Sequence, residues 1–277
     1  MPIAVMDSGV GGISVLKHIH AALPHESLIY FADSKYAPYG NKTPAQIERR
    51  VFSCAKFLLT HGAKALVIAC NTATAAAAHS LREKYAFLDL PIIAMEPAVK
   101  PASTASKNGI VGVLATTGTL KSAQFAALLA TYGKDIQVIT QACVGLVECI
   151  EHGELDTPAT KALISQYCLP LLEAGADTIV LGCTHYPFVK EVIQEVVGKN
   201  ITLIDTGAAV AKQLKRKLEE KSLLSSAKTP ADIRIWTNSQ DNNAEQVITA
   251  LWGDDKITVR HTDVLAAGCS NDSSCAP

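Results

Sequence analysis

The chain has 277 residues, 48% of them hydrophobic and 18% charged, with a formal net charge of −1. That is room for about two domains with well-buried cores, and the near-neutral balance gives no global attraction to nucleic acid. No apolar run approaches the ~20 residues of a membrane-spanning helix. Residues 1–6 reach Asp7 without a basic leader or an apolar signal core, so the expectation is a cytoplasmic protein whose eight cysteines are reduced thiols rather than a disulfide framework.

In chain order, residues 3–6 read as a buried strand, 9–12 as a tight glycine turn and 13–22 as a helix. Next come a strand at 28–32, a long amphipathic helix at 43–62, a strand at 65–69, an alanine-rich helix at 72–85 and a strand at 92–95. Further strands are expected at 109–115, 136–141, 178–182 and 201–204. After them come a helix at 207–221, a loop at 225–232, a strand at 233–237, a helix at 242–252, a strand at 257–260 and a frayed polar tail at 268–277. The basic run from Lys212 to Lys217 precedes Glu219-Glu220 and reads as a solvated helix face. Strands alternating with helical stretches imply βαβ units and parallel sheets.

One phrase occurs twice. Residues 66–74 are Leu-Val-Ile-Ala-Cys-Asn-Thr-Ala-Thr and residues 179–187 are Ile-Val-Leu-Gly-Cys-Thr-His-Tyr-Pro, each preceded by Gly-Ala. Cys70 and Cys183 stand 113 positions apart. Asp7 and Thr116, in matching contexts, stand 109 apart, as do Glu96 and Asp205. Three landmarks in order indicate two similar α/β halves of about 100 residues; a solenoid would repeat every 20–50. The resulting fold class is α/β, with two pseudo-symmetric halves, each a mainly parallel sheet flanked by helices.

A polar cluster where a strand turns into a helix is where open α/β sheets build sites. A lone cysteine there is ordinarily a small buried hydrophobe; two in matched contexts point to one reactive sulfur on each side of a substrate. Cys70 is expected near a helix N-terminus, where free N–H groups lower a thiol pKa and hold anions, and the same argument is applied to Cys183 ahead of Pro187. Cys54, Cys143, Cys149, Cys168, Cys269 and Cys275 lack such context and are assigned to packing or surface. No cysteine pair forms Cys-x-x-Cys, and no spacing suits zinc.

Other motifs admit two readings. Asp7-Ser8-Gly9-Val10-Gly11-Gly12 opens like a dinucleotide fingerprint, with Asp33 as its ribose acid, but Ser14 stands where the third glycine belongs. The preferred reading is that the glycines let backbone N–H groups approach a small anion, with Asp7 either contacting a catalytic group or capping the next helix. Pro38-Tyr39-Gly40 is a turn placed at the carboxyl end of a strand, suited to substrate contact. Asn71, Thr72 and Thr184 can cap helices or bind a carboxylate, His185 can polarise or protonate the thiol beside it, and Glu148, an acid in an apolar run, can tune a nearby thiol.

Taken together, Asp-Ser-Gly-x-Gly-Gly, Pro-Tyr-Gly, Ala-Cys-Asn-Thr-Ala, Leu-Ala-Thr-x-Gly-Thr and Leu-Gly-Cys-Thr-His-Tyr-Pro, in this order, closely resemble the bacterial glutamate racemases, over residues 1 to about 260. The resemblance implies a cofactor-independent, metal-free enzyme of two α/β domains, 1–97 with 208–277 and the inserted 98–207, around a cleft. It implies interconversion of L- and D-glutamate in the cytoplasm, D-glutamate being supplied for peptidoglycan. Cys70 is then expected to take the α-proton of D-glutamate and Cys183 that of L-glutamate, assisted by Asp7, His185 and Glu148. Substrate contacts are expected from Asp7, Ser8, Pro38, Tyr39, Gly40, Asn71, Thr72, Thr116, Thr117, Thr119, Thr184 and His185. The partner is a small molecule, with a homodimer as an admissible assembly and no nucleic acid or membrane. A racemase of aspartate and a non-catalytic amino-acid-binding module are the competing readings.

Overall fold

A computed structural model describes residues 1–229 and 231–262; the expected frayed tail, with Cys269 and Cys275, lies outside them. The chain runs β1 (Ile3–Asp7), α1 (Ile13–Ala22), β2 (Leu28–Ala32), α2 (Pro44–Thr60), β3 (Ala65–Ile68), α3 (Asn71–Lys84) and β4 (Ile92–Ile93). Then come α4 (Val99–Ala105), β5 (Ile110–Ala115), α5 (Thr117–Leu120), α6 (Ala123–Tyr132), β6 (Gln137–Ala142), α7 (Leu146–Glu151), α8 (Pro158–Glu173), β7 (Thr178–Leu181), α9 (Lys190–Val197) and β8 (Thr202–Ile204). It closes with α10 (Gly207–Glu220), β9 (Ile233–Thr237), α11 (Asn242–Trp252) and β10 (Val259–His261).

The strands form two sheets, ordered β10-β9-β2-β1-β3-β4 and β6-β5-β7-β8, and every pairing is parallel. The order of the first four strands, β2-β1-β3-β4, recurs in the second four as β6-β5-β7-β8. The sequence echo is therefore a topological echo: β1 corresponds to β5, and β3 to β7. The first sheet is extended by β9, which pairs with β2 after the chain has built the second sheet.

Strands covered on both faces should be apolar throughout rather than alternating, and β1, β2, β3 and β7 are buried at every residue. Successive side chains still part to opposite faces. Ile3 and Val5 join Ile13, Leu16 and Leu214 on one side of the first sheet, while Ala4 and Met6 join Val51, Leu58 and Leu81 on the other. In the second sheet Ile179 packs with Ile164 and Leu171, and Val180 with Val99 and Phe125. Helix α2 starts with a capping box, Thr43 accepting from the Gln46 N–H, with Pro44 in the first turn.

Because all strands of a sheet run one way, their carboxyl ends share an edge. Asp7, Asp33 and Cys70 end or follow β1, β2 and β3; Thr116, Cys143 and Cys183 follow β5, β6 and β7. Those two edges meet. The Thr72 hydroxyl, at the start of α3, lies 2.9 Å from the Thr116 hydroxyl at the start of α5, and the Val10 N–H, in the β1–α1 turn, donates to Glu151 Oε1 of α7 at 2.8 Å. No described helix is long and apolar enough to cross a membrane.

Candidate active site

Cys70 is the N-cap of α3. Its Sγ accepts from the Ala73 N–H at 3.4 Å and lies 3.6 Å from Ser8 Oγ. The cap position is where a helix offers unpaired N–H groups and partial positive charge. Burial nevertheless decides the balance. Desolvation and the Asp7 carboxylate push the Cys70 thiol up, against smaller opposing effects of Ala73 N–H and Ser8. The expected lowering by the helix terminus is thus outweighed.

Cys183 is built differently. It leads into a turn and a 3₁₀ segment, Tyr186–Val189, before α9 begins at Lys190, so no α-helix N-terminus faces it and the expectation carried over from Cys70 fails there. Its Sγ instead lies 3.5 Å from His185 Nδ1, and His185 Nε2 is 2.5 Å from Glu151 Oε1. Burial works against an imidazolium, but the Cys183 sulfur and the Glu151 carboxylate outweigh it, and the His185 pKa stands well above its ordinary value. The imidazole is 2% exposed, and the arrangement is a thiol, a base and an orienting acid in series.

Glu151, not Glu148, is therefore the acid that reaches His185. Glu148 sits earlier on α7 and lines a cavity of about 170 Å³ with Glu151, Pro38, His152 and Asp241. Among the described residues no hydrogen bond joins Glu148 to either thiol.

The glycine turn also has an unexpected role. Its N–H groups meet carboxylates of the protein itself: Gly9 donates to Asp7 Oδ2 at 3.0 Å and Val10 to Glu151 Oε1. A Cβ at Gly9 would overlap the Glu151 carboxylate, and one at Gly11 the His185 ring. The glycines are needed so that the His185–Glu151 pair can dock on the β1 turn. Asp7 is fully buried, is not the cap of α1, and has its carboxyl raised to about 6 by desolvation, partly opposed by His185.

Asp33 cannot serve a ribose. It is fully buried and both its oxygens are taken, by Arg50, Asn238 and the Tyr39 hydroxyl, so the dinucleotide reading falls. Tyr39 is 1% exposed with its hydroxyl on Asp33. Gly40 packs on Thr116, where a Cβ would come within 3.0 Å of Thr116 Cβ. Pro38 is half-buried in the same loop.

The hydroxyls of Thr72, Thr116 and Thr119 form a closed triad at 2.9, 3.2 and 3.0 Å, spanning the two sheet edges. Thr117 is half-buried at the start of α5. Thr184 is buried, and its carbonyl accepts from the Ser14 hydroxyl at 2.8 Å, tying the Cys183 loop to α1. Asn71, 5% exposed, has neither side-chain nitrogen nor oxygen hydrogen-bonded, and Asp7 Oδ1 is likewise unpaired. Buried polar groups are normally paired, and these three atoms are among the described ones without a hydrogen-bond partner. The Cys183 sulfur is the smallest of the named contributors to the upward push on Cys70. All six described cysteines are free.

Comparison with known proteins gives the same picture. Residues 3–214 match the sequence model of the family described as Asp/Glu/Hydantoin racemase. The chain is 55% identical over 252 residues to the glutamate racemase of Pseudomonas paraeruginosa, covering 91% of this chain and 94% of that one. The crystal structure of the Francisella tularensis glutamate racemase in complex with D-glutamate superposes with a TM-score of 0.83 at 30% identity, over 96% of this chain and 98% of that one. The Escherichia coli glutamate racemase, in complex with L-glutamate and the activator UDP-MurNAc-Ala, does so with a TM-score of 0.83 at 32% identity, over 94% and 98%. The chain belongs to the Asp/Glu/Hydantoin racemase family, as an isomerase of the glutamate racemase group.

Proposed function

We propose that the protein racemises glutamate without a cofactor, by two bases, in a cleft between domains 1–97 with 208–277 and 98–207. Cys183 takes the α-proton of L-glutamate and Cys70 returns one to the opposite face; the reverse reaction exchanges their roles. Inversion needs a donor on the far side of the stereocentre, and a thiolate/thiol pair supplies both states. Asp7 and the His185–Glu151 pair serve the two sulfurs, and Ser8, the Tyr39–Gly40 backbone, Asn71, the threonine triad and Thr184 hold the substrate. The product serves peptidoglycan synthesis in the cytoplasm.

An amino-acid α-proton is weakly acidic, and without an electron sink the protein must compensate by desolvation, by donors where charge develops and by placed bases. The observation that carries the reading is the pairing of Cys70 and Cys183 across one buried polar network, from Ser8 through the β1 turn to Glu151, His185 and Cys183. Purified protein with L-glutamate and no added cofactor should lose optical rotation and, in D₂O, take deuterium at Cα. L-Aspartate under the same conditions should do neither. Inactivity on L-glutamate under reducing conditions, or glutamate binding without α-proton exchange, would overturn the proposal.

A further inference from the structure

Asp33 is a fully buried carboxylate outside the two thiol sites, and its side chain accepts four hydrogen bonds. Arg50 grips it with a two-point fork, Nη2 to Oδ1 at 2.6 Å and Nε to Oδ2 at 3.0 Å. Asn238 Nδ2 donates to Oδ1 at 2.5 Å, and the Tyr39 hydroxyl donates to Oδ2. Asp33 and its three partners are all buried: Asp33 is fully so, Arg50 is 8% exposed, Asn238 4% and Tyr39 1%.

The cluster joins three stretches of chain that are remote in sequence. Asp33 follows β2, and its own N–H donates to the Asp7 carbonyl at 3.0 Å, at the edge of the site. Arg50 comes from α2, with its guanidinium 3.8 Å above the Tyr36 ring. Asn238 follows β9, and its other amide atom, Oδ1, accepts the Lys35 N–H at 3.0 Å. Residues 34–40, between these anchors, form the segment that delivers Gly40 against Thr116 and Gly118. That segment holds two short 3₁₀ turns and no α-helix or strand, so its course depends on what it is tied to.

We infer that Asp33, clamped by Arg50 and Asn238, is a positioning residue that fixes the Tyr39–Gly40 backbone for substrate binding through the Tyr39 hydroxyl. The inference rests on the proposed role of Tyr39–Gly40 as a substrate contact. A buried acid held by a bidentate arginine and an amide has little freedom to move, and a loop locked to it is preorganised before glutamate arrives. The role is in binding. No hydrogen bond joins Asp33, Arg50, Asn238 or the Tyr39 hydroxyl to the Cys70 or Cys183 sulfur, so proton transfer should be largely spared.

The test is steady-state racemisation of glutamate in both directions by the full chain. Tyr39→Phe keeps the ring and removes one donor; Asn238→Ala removes another, together with the amide oxygen to which the Lys35 N–H donates. Each should raise KM about tenfold for both enantiomers, the scale of one hydrogen bond to a charged group, with kcat within a few-fold of the parent. A merely structural role gives the opposite pattern, because loss of folded protein lowers apparent kcat and leaves KM alone. Circular dichroism confirms that each variant is folded. Gly40→Ala is the control on the underlying reading, since its Cβ meets Thr116 and should raise KM by itself. Raised KM in Gly40→Ala with unchanged KM in both other variants would overturn the positioning role alone. Unchanged KM in Gly40→Ala would overturn the substrate role of the loop, and the inference with it.

Discussion

The two cysteines stand in near-identical sequence contexts and in corresponding places of a repeated sheet, yet their surroundings differ in kind. Cys70 caps a fourteen-residue helix and has a hydroxyl, Ser8, beside it. Cys183 precedes no helix of that sort and is served by an imidazole backed by a carboxylate. The repeated strand order gives two equivalent strand ends, and the segments leaving those ends differ. The proposed two-base scheme tolerates this, because in it each thiol has only to pass a proton to one face. The two half-sites should therefore be separable by experiment even though the overall reaction is symmetric.

One constraint governs how. L- and D-glutamate have equal free energies, so kcat/KM must be the same in both directions for every variant. Asymmetry has to be sought in isotope effects and exchange, where each transition state is read separately. The largest effect is expected from the thiols themselves. Cys70→Ser and Cys183→Ser should each lower racemisation by about 10³-fold or more, since a general base and acid are lost together. In D₂O, Cys70→Ser should still place deuterium slowly on L-glutamate without forming the D-enantiomer, and Cys183→Ser should do the converse. Serine can still accept the Ala73 N–H, so the helix cap survives. Near-normal turnover by either variant would refute the two-base scheme.

Glu151→Gln comes next. It keeps the shape and removes the charge behind His185, and should cost about 10²-fold in kcat/KM, equally in both directions. The step slowed is the one at Cys183. The primary isotope effect should thus grow with α-deuterated L-glutamate and shrink towards one with α-deuterated D-glutamate. Equal isotope effects for the two enantiomers would mean that Glu151 serves both sulfurs alike. Glu148→Gln should leave both isotope effects near those of the parent.

Asp7 lies between the half-sites, and its signature is in stability. Its carboxyl rises from the usual 3.8 to about 6, through desolvation first. A raised folded pKa means that the associated stability is complete below about pH 4 and is lost as pH rises through about 6, up to roughly 3 kcal/mol. Asp7→Asn carries no such pH dependence. Relative to the parent, it should gain about 3 kcal/mol at pH 8 and about half that at pH 5, by urea denaturation. A difference constant with pH would show that the burial of this charge is not what the site bears.

How much of this is legible from the chain depends on the distance over which each feature is decided. Strands 28–32 and 233–237 and helices 13–22 and 242–252 coincide with β2, β9, α1 and α11, because apolar runs and turn residues act locally. The duplication is legible because both copies keep the Gly-Ala lead-in and the Cys. Glu151 is not, because its role is set by α7 docking against a turn 141 residues earlier, and it is Glu148 that stands out as the acid inside the apolar run. A signal does exist: Gly9 and Gly11 leave room not for an anion from outside but for the side chains of Glu151 and His185. Asp33 is similar. Its position after β2 suggests a ribose acid, whereas Arg50, one of two adjacent arginines on α2, reaches it only in the folded chain. The hydroxyls of Thr72, Thr116 and Thr119 each stand in a motif the chain displays, but their closure into a triad is a property of two sheet edges meeting.

The smallest expected effect sharpens the comparison most. Ser8 is the only side chain hydrogen-bonded to Cys70 among the described residues, and at 3.6 Å its hydroxyl is a weak, neutral partner for sulfur. A neutral hydrogen bond contributes about 1 kcal/mol, so Ser8→Ala should lower kcat/KM only about fivefold. Its isotope pattern should mirror that of Glu151→Gln: a larger effect with α-deuterated D-glutamate and a smaller one with the L-enantiomer, because the transition state at Cys70 is the one raised. If Ser8→Ala instead shifts the isotope effect towards L-glutamate, the hydroxyl is acting on the substrate or on Cys183. Asp7 and the helix terminus then remain as what the protein provides for Cys70, and the two half-sites differ even more than their hydrogen bonds suggest.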